Sequence, residues 1–256
     1  MDEWKKDQLL IKRYGSREEM GAGAAKDIGN AVMRTIAKKG EVNMIFAAAP
    51  SQNEMLKYLL TERGIDWSCV NAMHMDEYVG LSGWDPHSFG FYLREHIFGK
   101  KTFRSVHYIN GSAVDPEEEC LRYAKVLEKH PVDIVCLGIG ENGHIAFNDP
   151  WVADFNDTEL VKNVELDRVC RQQQVHDGCF EKLDEVPTHA MTLTIPALLA
   201  AKEMFCVVPA LTKAEAVRSM IEGPVDETCP ASILRTHPSA TLYIDPDSGS
   251  LLHPVH

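Results

Sequence analysis

The chain has 256 residues, 45% of them apolar and 25% charged, the balance of an ordinary soluble globular protein. That excludes a disordered chain, a disulfide-stapled mini-protein and a fibrous repeat. Lys and Arg number 26 against 38 Asp and Glu, and the resulting net charge of −12 argues against nucleic acid or an anionic membrane as partner. No apolar run approaches the ~20 residues of a membrane span, and the opening MDEWKKDQLL lacks the apolar stretch of a signal peptide, so a cytoplasmic protein is expected. The seven cysteines are scattered and form no C-x-x-C pair, which supports neither a disulfide framework nor a zinc ribbon.

In chain order, Ser16 followed by Glu19 is a capping-box pattern heading a helix predicted to run to Lys39. Val42–Ala49 reads as a strand stopped by Pro50, and Ser51 is placed to cap a helix over Gln52–Arg63. A strand is predicted at Cys69–Met75, a helix at Phe89–Phe98, a short strand at Val106–Ile109, a helix at Asp115–Lys129 and a buried strand at Val132–Leu137. Trp151–Glu165 is polar and aperiodic, and reads as a loop or a lid. Beyond it, strands are predicted at Ala190–Leu193, Glu203–Val208 and Ala240–Ile244, with helices at Pro196–Ala201 and Thr212–Glu222. This alternation predicts an α/β fold of three layers, a mostly parallel sheet covered by helices on both faces. No repeat or linker divides the chain, so residues 1–256 are expected to form a single domain.

Ligand crevices of open parallel sheets lie beyond the carboxyl ends of the strands. Three such places carry chemistry. After the first long strand, Ala49, Pro50, Ser51 and Gln52 turn into a helix whose free N–H groups suit a phosphate, although any strand-to-helix turn looks similar. After the second, Asp76 and Glu77 are adjacent carboxylates at a strand end; a pocket would make one a general base, and the pattern does not say which points inward. After the fourth come Gly138, Gly140 and Gly143, in the G-x-G-x-x-G spacing of a dinucleotide site. The run HIAFNDP that follows opens no helix and lies mid-chain, so a nicotinamide or flavin is not expected. The glycines are better read as letting backbone approach a ligand. Just beyond them His144 and Asp149 are spaced to form a hydrogen-bonded acid/base pair, whereas a metal would need a third ligand that the spacing does not offer. Lys213, Arg168 and Arg171 are cations near strand ends that could face an anion or simply be solvated.

Taken together, MDEYVGL (Met75–Leu81) and GIGENGHIAFNDP (Gly138–Pro150) closely resemble the two signature blocks of glucosamine-6-phosphate deaminases, also called isomerases. VPTHAMTLTIPALL and LTKAEAV…EGPV resemble later blocks, so the similarity spans nearly the whole chain. The related 6-phosphogluconolactonases typically continue with S-L-F-P where this chain has Phe147–Pro150 as FNDP. The resemblance implies a Rossmann-like fold and conversion of glucosamine 6-phosphate and water to fructose 6-phosphate and ammonia. By analogy Asp76 matches the base that moves a proton between C2 and C1, His144 the residue that opens the sugar ring, and Asp149 the carboxylate supporting it. Asn142 falls where many members have aspartate, and Lys213 matches a phosphate-binding lysine. The implied chemistry needs no metal or organic cofactor, because an α-amino carbonyl compound enolises with acid/base help alone. Partners are limited to the sugar phosphate, with a homo-oligomer compatible because the family includes monomers and hexamers.

The chain also departs from the family pattern. The usual glycine-rich phosphate loop is replaced by Ala48-Ala49-Pro50-Ser51-Gln52, and Gln173 stands where an arginine usually meets the phosphate, so that either Arg171 substitutes or the contact is lost. Asp149 is one methylene shorter than the usual glutamate. These departures keep open a galactosamine 6-phosphate or related substrate, a lactone hydrolase, and a sugar-phosphate sensor without turnover.

Overall fold

The first two elements are a hairpin that the sequence reading left unassigned. In the computed structural model, which describes residues 1–253, β1 (Asp2–Lys6) and β2 (Leu9–Arg13) pair antiparallel. Their mixed charge hides them: β1 is a mostly exposed edge, while Leu9 and Ile11 of β2 are fully buried. The long helix α1 (Arg17–Lys39) begins where the capping box places it, with Ser16 Oγ accepting the Glu19 N–H. It ends at Gly40, whose φ of 80° closes the last turn in the left-handed region.

The remaining strands of the main sheet are β3 (Val42–Phe46), β4 (Val70–His74), β6 (Ser105–His107), β7 (Ile134–Leu137), β10 (Glu203–Val208) and β11 (Ala240–Ile244). The sheet order is β1-β2-β11-β10-β7-β3-β4-β6, and every pairing except β1–β2 is parallel. Because side chains alternate across a strand, Val135 and Leu137 of β7 enter one apolar core and Ile134 and Cys136 the other. Both faces are thus buried, which is why β3, β4 and β7 are buried along their whole length and show no alternation of apolar and exposed polar residues. The covering helices are α1, α2 (Asn53–Leu59), α3 (Phe89–Leu93), α4 (Pro116–Lys129), α5 (Arg168–His176), α6 (Ile195–Leu199) and α7 (Ala214–Glu222).

A second, three-stranded antiparallel sheet, β5 (Asp76–Tyr78), β9 (His189–Leu193) and β8 (Val161–Glu165), has the order β5-β9-β8. It corrects the reading of Trp151–Glu165 as uniformly irregular, since the last five residues are strand. Lys162 ties the turns before it in place by donating to the Val152 carbonyl at 2.9 Å and to Asp157 at 2.7 Å. Two helix predictions are also corrected. Residues Phe89–Phe98 split into α3 and a π-helical turn at Arg94–Phe98. Ser51 caps no helix: Pro50–Gln52 form a 3₁₀ turn without a side-chain cap, because the Ser51 hydroxyl accepts the Gln52 side-chain amide at 3.1 Å instead. Among the described residues no helix is long and apolar enough to cross a membrane, and all seven cysteines are free.

Candidate active site

The carboxyl ends of β3, β4, β7 and β10 open into one cleft, lined by Ala47–Ser51, Met75, Asp76, Phe89, Gly138–Gly140, His144, Ala146, Phe147, Gln173, Gln174, Asp177 and Lys213. Asp76 enters it from the first residue of β5, two residues past the end of β4. Burial, followed by the negative charge of Glu77, holds its carboxyl well above the usual aspartate range. The backbone that carries it is fixed by a histidine the sequence reading passed over. His74 is fully buried, with Nδ1 at 2.9 Å from the Asp76 carbonyl and Nε2 accepting the Ile109 N–H at 2.9 Å. Burial pulls His74 down to about 4, so it is a neutral ring, and its partners assign the proton to Nδ1.

Glu77, by contrast, lies outside the cleft lining. Its carboxylate accepts the backbone N–H groups of Tyr78 at 3.0 Å, Phe89 at 3.1 Å and Gly90 at 2.8 Å, and so anchors the first turn of α3. Burial pushes Glu77 up to about 7 against the pull of those three donors. The fold therefore decides what the adjacent pair Asp76–Glu77 left open: only the first faces the cleft.

The loop after β7 folds back on itself. Gly143 has a φ of 82°, and a Cβ on Gly140 would lie 2.1 Å from His144 Cε1, so the imidazole sits directly on glycine backbone. His144 Nδ1 is 2.8 Å from Asn142 Oδ1 and 3.0 Å from Asp149 Oδ1, while the Asn142 amide donates to Asp149 Oδ1 at 2.8 Å. Asp149 is fully buried. Burial raises its carboxyl, but His144, then Asn142 and Cys170, outweigh this and hold it below the usual range. The shorter aspartate does reach the ring. Asn148 secures the loop by donating to the Ile145 and Leu193 carbonyls at 3.0 and 2.8 Å. The fold also supplies the third side chain that sequence spacing did not offer. Candidate ligand atoms of His144, Asp149 and Cys170 lie within 4.8 Å of one another, but Nδ1 is already engaged by Asn142 and Asp149.

Lys213 also lines the cleft, from a 3₁₀ turn (Leu211–Lys213) before α7. It is 5% exposed, and among the described residues its ammonium has no hydrogen bond or ion pair. Burial lowers its proton affinity, partly opposed by the charges of Asp177 and Glu141. A buried, unpaired cation in a cleft is a ready partner for an anion. Ser51 lines the cleft nearby. Gln52 does not; its amide braces Ser51 and donates to the Val207 carbonyl at 3.1 Å, strapping the loop to the end of β10. Gln173 lines the cleft, with Oε1 accepting the Glu141 N–H at 2.8 Å. Arg171 does not substitute for it: its guanidinium binds the Leu183 and Val186 carbonyls and is absent from the cleft wall. Phe89, Phe147, Gln174 and Asp177 are wall residues that sequence reasoning missed. Helical spacing from Gln173 could have flagged Asp177.

A parallel α/β sheet whose strand ends hold an open carboxyl, a histidine–aspartate pair and an unpaired lysine defines a protein built for acid/base work on a small anion. Comparison with known proteins places it more closely. Residues 15–243 match the family model described as glucosamine-6-phosphate isomerases/6-phosphogluconolactonase. A glucosamine-6-phosphate deaminase of Listeria monocytogenes serotype 4a is 39% identical over 213 residues, covering 83% of this chain and 89% of that protein. The structure of a monomeric glucosamine-6-phosphate deaminase superposes with a TM-score of 0.85 at 30% identity, covering 94% of this chain and 99% of the other. A 6-phosphogluconolactonase from Trypanosoma brucei, at 14% identity and a TM-score of 0.77 over 98% and 100% of the two chains, shares the fold alone. The chain belongs to the glucosamine-6-phosphate isomerase/6-phosphogluconolactonase family and is an enzyme of its isomerase/deaminase kind.

Proposed function

We propose that the protein converts glucosamine 6-phosphate and water to fructose 6-phosphate and ammonia. The observation that carries this reading is the gathering of Asp76, the His144–Asp149 pair and the unpaired Lys213 in one cleft. In this reading Lys213, with Ser51 and the N–H groups of the Ala49–Gln52 turn, holds the phosphate. His144, oriented by Asp149 and Asn142, moves the proton that opens the pyranose ring. Asp76 then takes the proton from C2 of the open sugar while O1 takes up a proton, and returns its proton to C1 as the amine gives one up, leaving an imine at C2. Water adds to that carbon, the C–N bond breaks, and ammonia leaves. The raised Asp76 carboxyl suits this step, since a base that must also return its proton works best with an affinity near the working pH.

The proton shuttle can be read directly. Turnover in deuterated water is expected to place deuterium at C1 of the fructose 6-phosphate, because a buried carboxyl exchanges only in part between abstraction and return. Hydrolysis of 6-phosphogluconolactone that survives replacement of Asp76 would favour the lactonase reading instead, since that reaction removes no C2 proton.

A further inference from the structure

Asp149 has two carboxylate oxygens, and His144 and Asn142 share only one. Nδ1 of His144 and Nδ2 of Asn142 both converge on Oδ1, at 3.0 and 2.8 Å. Oδ2 is fully buried and, among the described residues, has no hydrogen-bond partner. An unsatisfied anionic oxygen in such a place costs a large desolvation penalty unless a donor faces it. Close to the same carboxylate is the Cys170 thiol, which α5 carries to the acid/base pair, 1% exposed. Its sulfur lies within 4.8 Å of a carboxylate oxygen of Asp149 and of a ring nitrogen of His144, and the thiol and the carboxylate each shift the other's protonation. Cys170 is also the residue whose backbone N–H, at 2.7 Å from Asp167 Oδ1, fixes the first turn of α5, so the thiol is held at a defined place.

We infer that Cys170 is a positioning residue of the acid/base group: its S–H turns onto the orphaned Asp149 Oδ2, keeps that carboxylate ionised and aligned, and through it orients His144. The inference rests on the reading of His144–Asp149 as the ring-opening pair. The thiol itself is no nucleophile. Burial, followed by the charge of Asp149, pushes it far above the ordinary thiol range, so it stays protonated as the donor role requires.

Two substitutions separate this from packing. Cys170→Ala removes the donor and leaves Oδ2 bare, whereas Cys170→Ser keeps an O–H at nearly the same place. Both alter the packing of α5, so both lower thermal stability, and stability alone does not distinguish them. The discriminating readouts are the pH profile of kcat/KM and an NMR titration of the His144 ring in the resting protein. Losing a hydrogen bond to a charged group is expected to lower kcat/KM about tenfold in Cys170→Ala. The acid limb of the profile should shift to higher pH, because the carboxylate takes up a proton more readily. The same upward shift is expected in the lower step of the coupled His144–Asp149 titration. Cys170→Ser should stay closer to wild type in both. Equal effects of the two variants, or a His144 titration identical in all three proteins, would overturn the inference. Because the titration needs no turnover, a shifted titration in a protein that releases no ammonia would sink the deaminase reading and leave the positioning role standing.

Discussion

At the scale of single residues, the cleft trades stability for reactive groups. Asp76 is buried beside another carboxylate, and among the described residues no hydrogen bond rewards its charge. A carboxyl raised on folding favours the folded state only while protonated. Its contribution is fully present below the unfolded value near 3.9 and is lost as pH rises through the higher folded value. Asp76→Asn, which cannot ionise, should therefore melt at a higher temperature than wild type at pH 8, and this gap should close below pH 4. A melting series across pH checks it, and a gap of the opposite sign would contradict the account. Strain appears at Ala210, whose φ of 82° and ψ of 149° lie in a region favoured only by glycine. Its N–H is held by both oxygens of buried Asp245, at 3.3 and 3.2 Å, and the Lys213 N–H returns to its carbonyl at 3.1 Å. The strained turn thus positions the cleft lysine. Ala210→Gly should keep that geometry and relieve about 1 kcal/mol net of glycine's entropy cost, raising the melting temperature by about 2–4 °C. A lower melting temperature would show that the strain is absent.

Among elements, legibility followed burial. β3, β4, β7 and β10 were readable because a strand buried on both faces is an apolar run of strand length, and α1 because its cap and period agree. The β1–β2 hairpin and β8 were not, since five-residue strands with one wet face mix charge into the pattern. In the site, the blocks around Asp76 and Gly138–Asp149 stood out. What distinguishes Asp76 from Glu77, or Gln173 from Arg171, is the direction of a side chain, which only tertiary packing sets. Cys170 escaped because its role comes from a residue distant in sequence, and His74 because its bond to the nearby Asp76 carbonyl is made only in the folded backbone. Arg171 provides an element-level test. Its three hydrogen bonds to the Leu183 and Val186 carbonyls tie α5 to the following 3₁₀ turn (Leu183–Glu185). Arg171→Ala should lower the melting temperature while raising KM far less than Lys213→Ala. The lysine variant should raise KM about tenfold or more, the value of one charge-assisted contact to the phosphate. The reverse ranking in a steady-state comparison would mean that Arg171 reaches the substrate.

For the whole molecule, the arrangement of groups explains why this fold takes its chemistry at one edge. The parallel strands deliver Asp76, His144 and Lys213 from β4, β7 and β10 to the same end of the sheet, and the antiparallel β5-β9-β8 layer holds the first two loops together. The departures at Ala48–Gln52 and Gln173, and the carboxylate of Asp177, fall at the cleft wall, whereas the shorter Asp149 keeps its contact with His144. They bear on which hexosamine phosphate fits best, and little on the reaction. The central claim is a deamination driven by Asp76. Its most direct test is ammonia release from glucosamine 6-phosphate by the purified protein, with Asp76→Asn and galactosamine 6-phosphate measured alongside. The account predicts release from glucosamine 6-phosphate that falls about 10²-fold or more in the variant, the contribution of a positioned general base. Release only from the galacto epimer would keep the mechanism and change the substrate, whereas release undiminished in Asp76→Asn, or none from either sugar, would contradict the account.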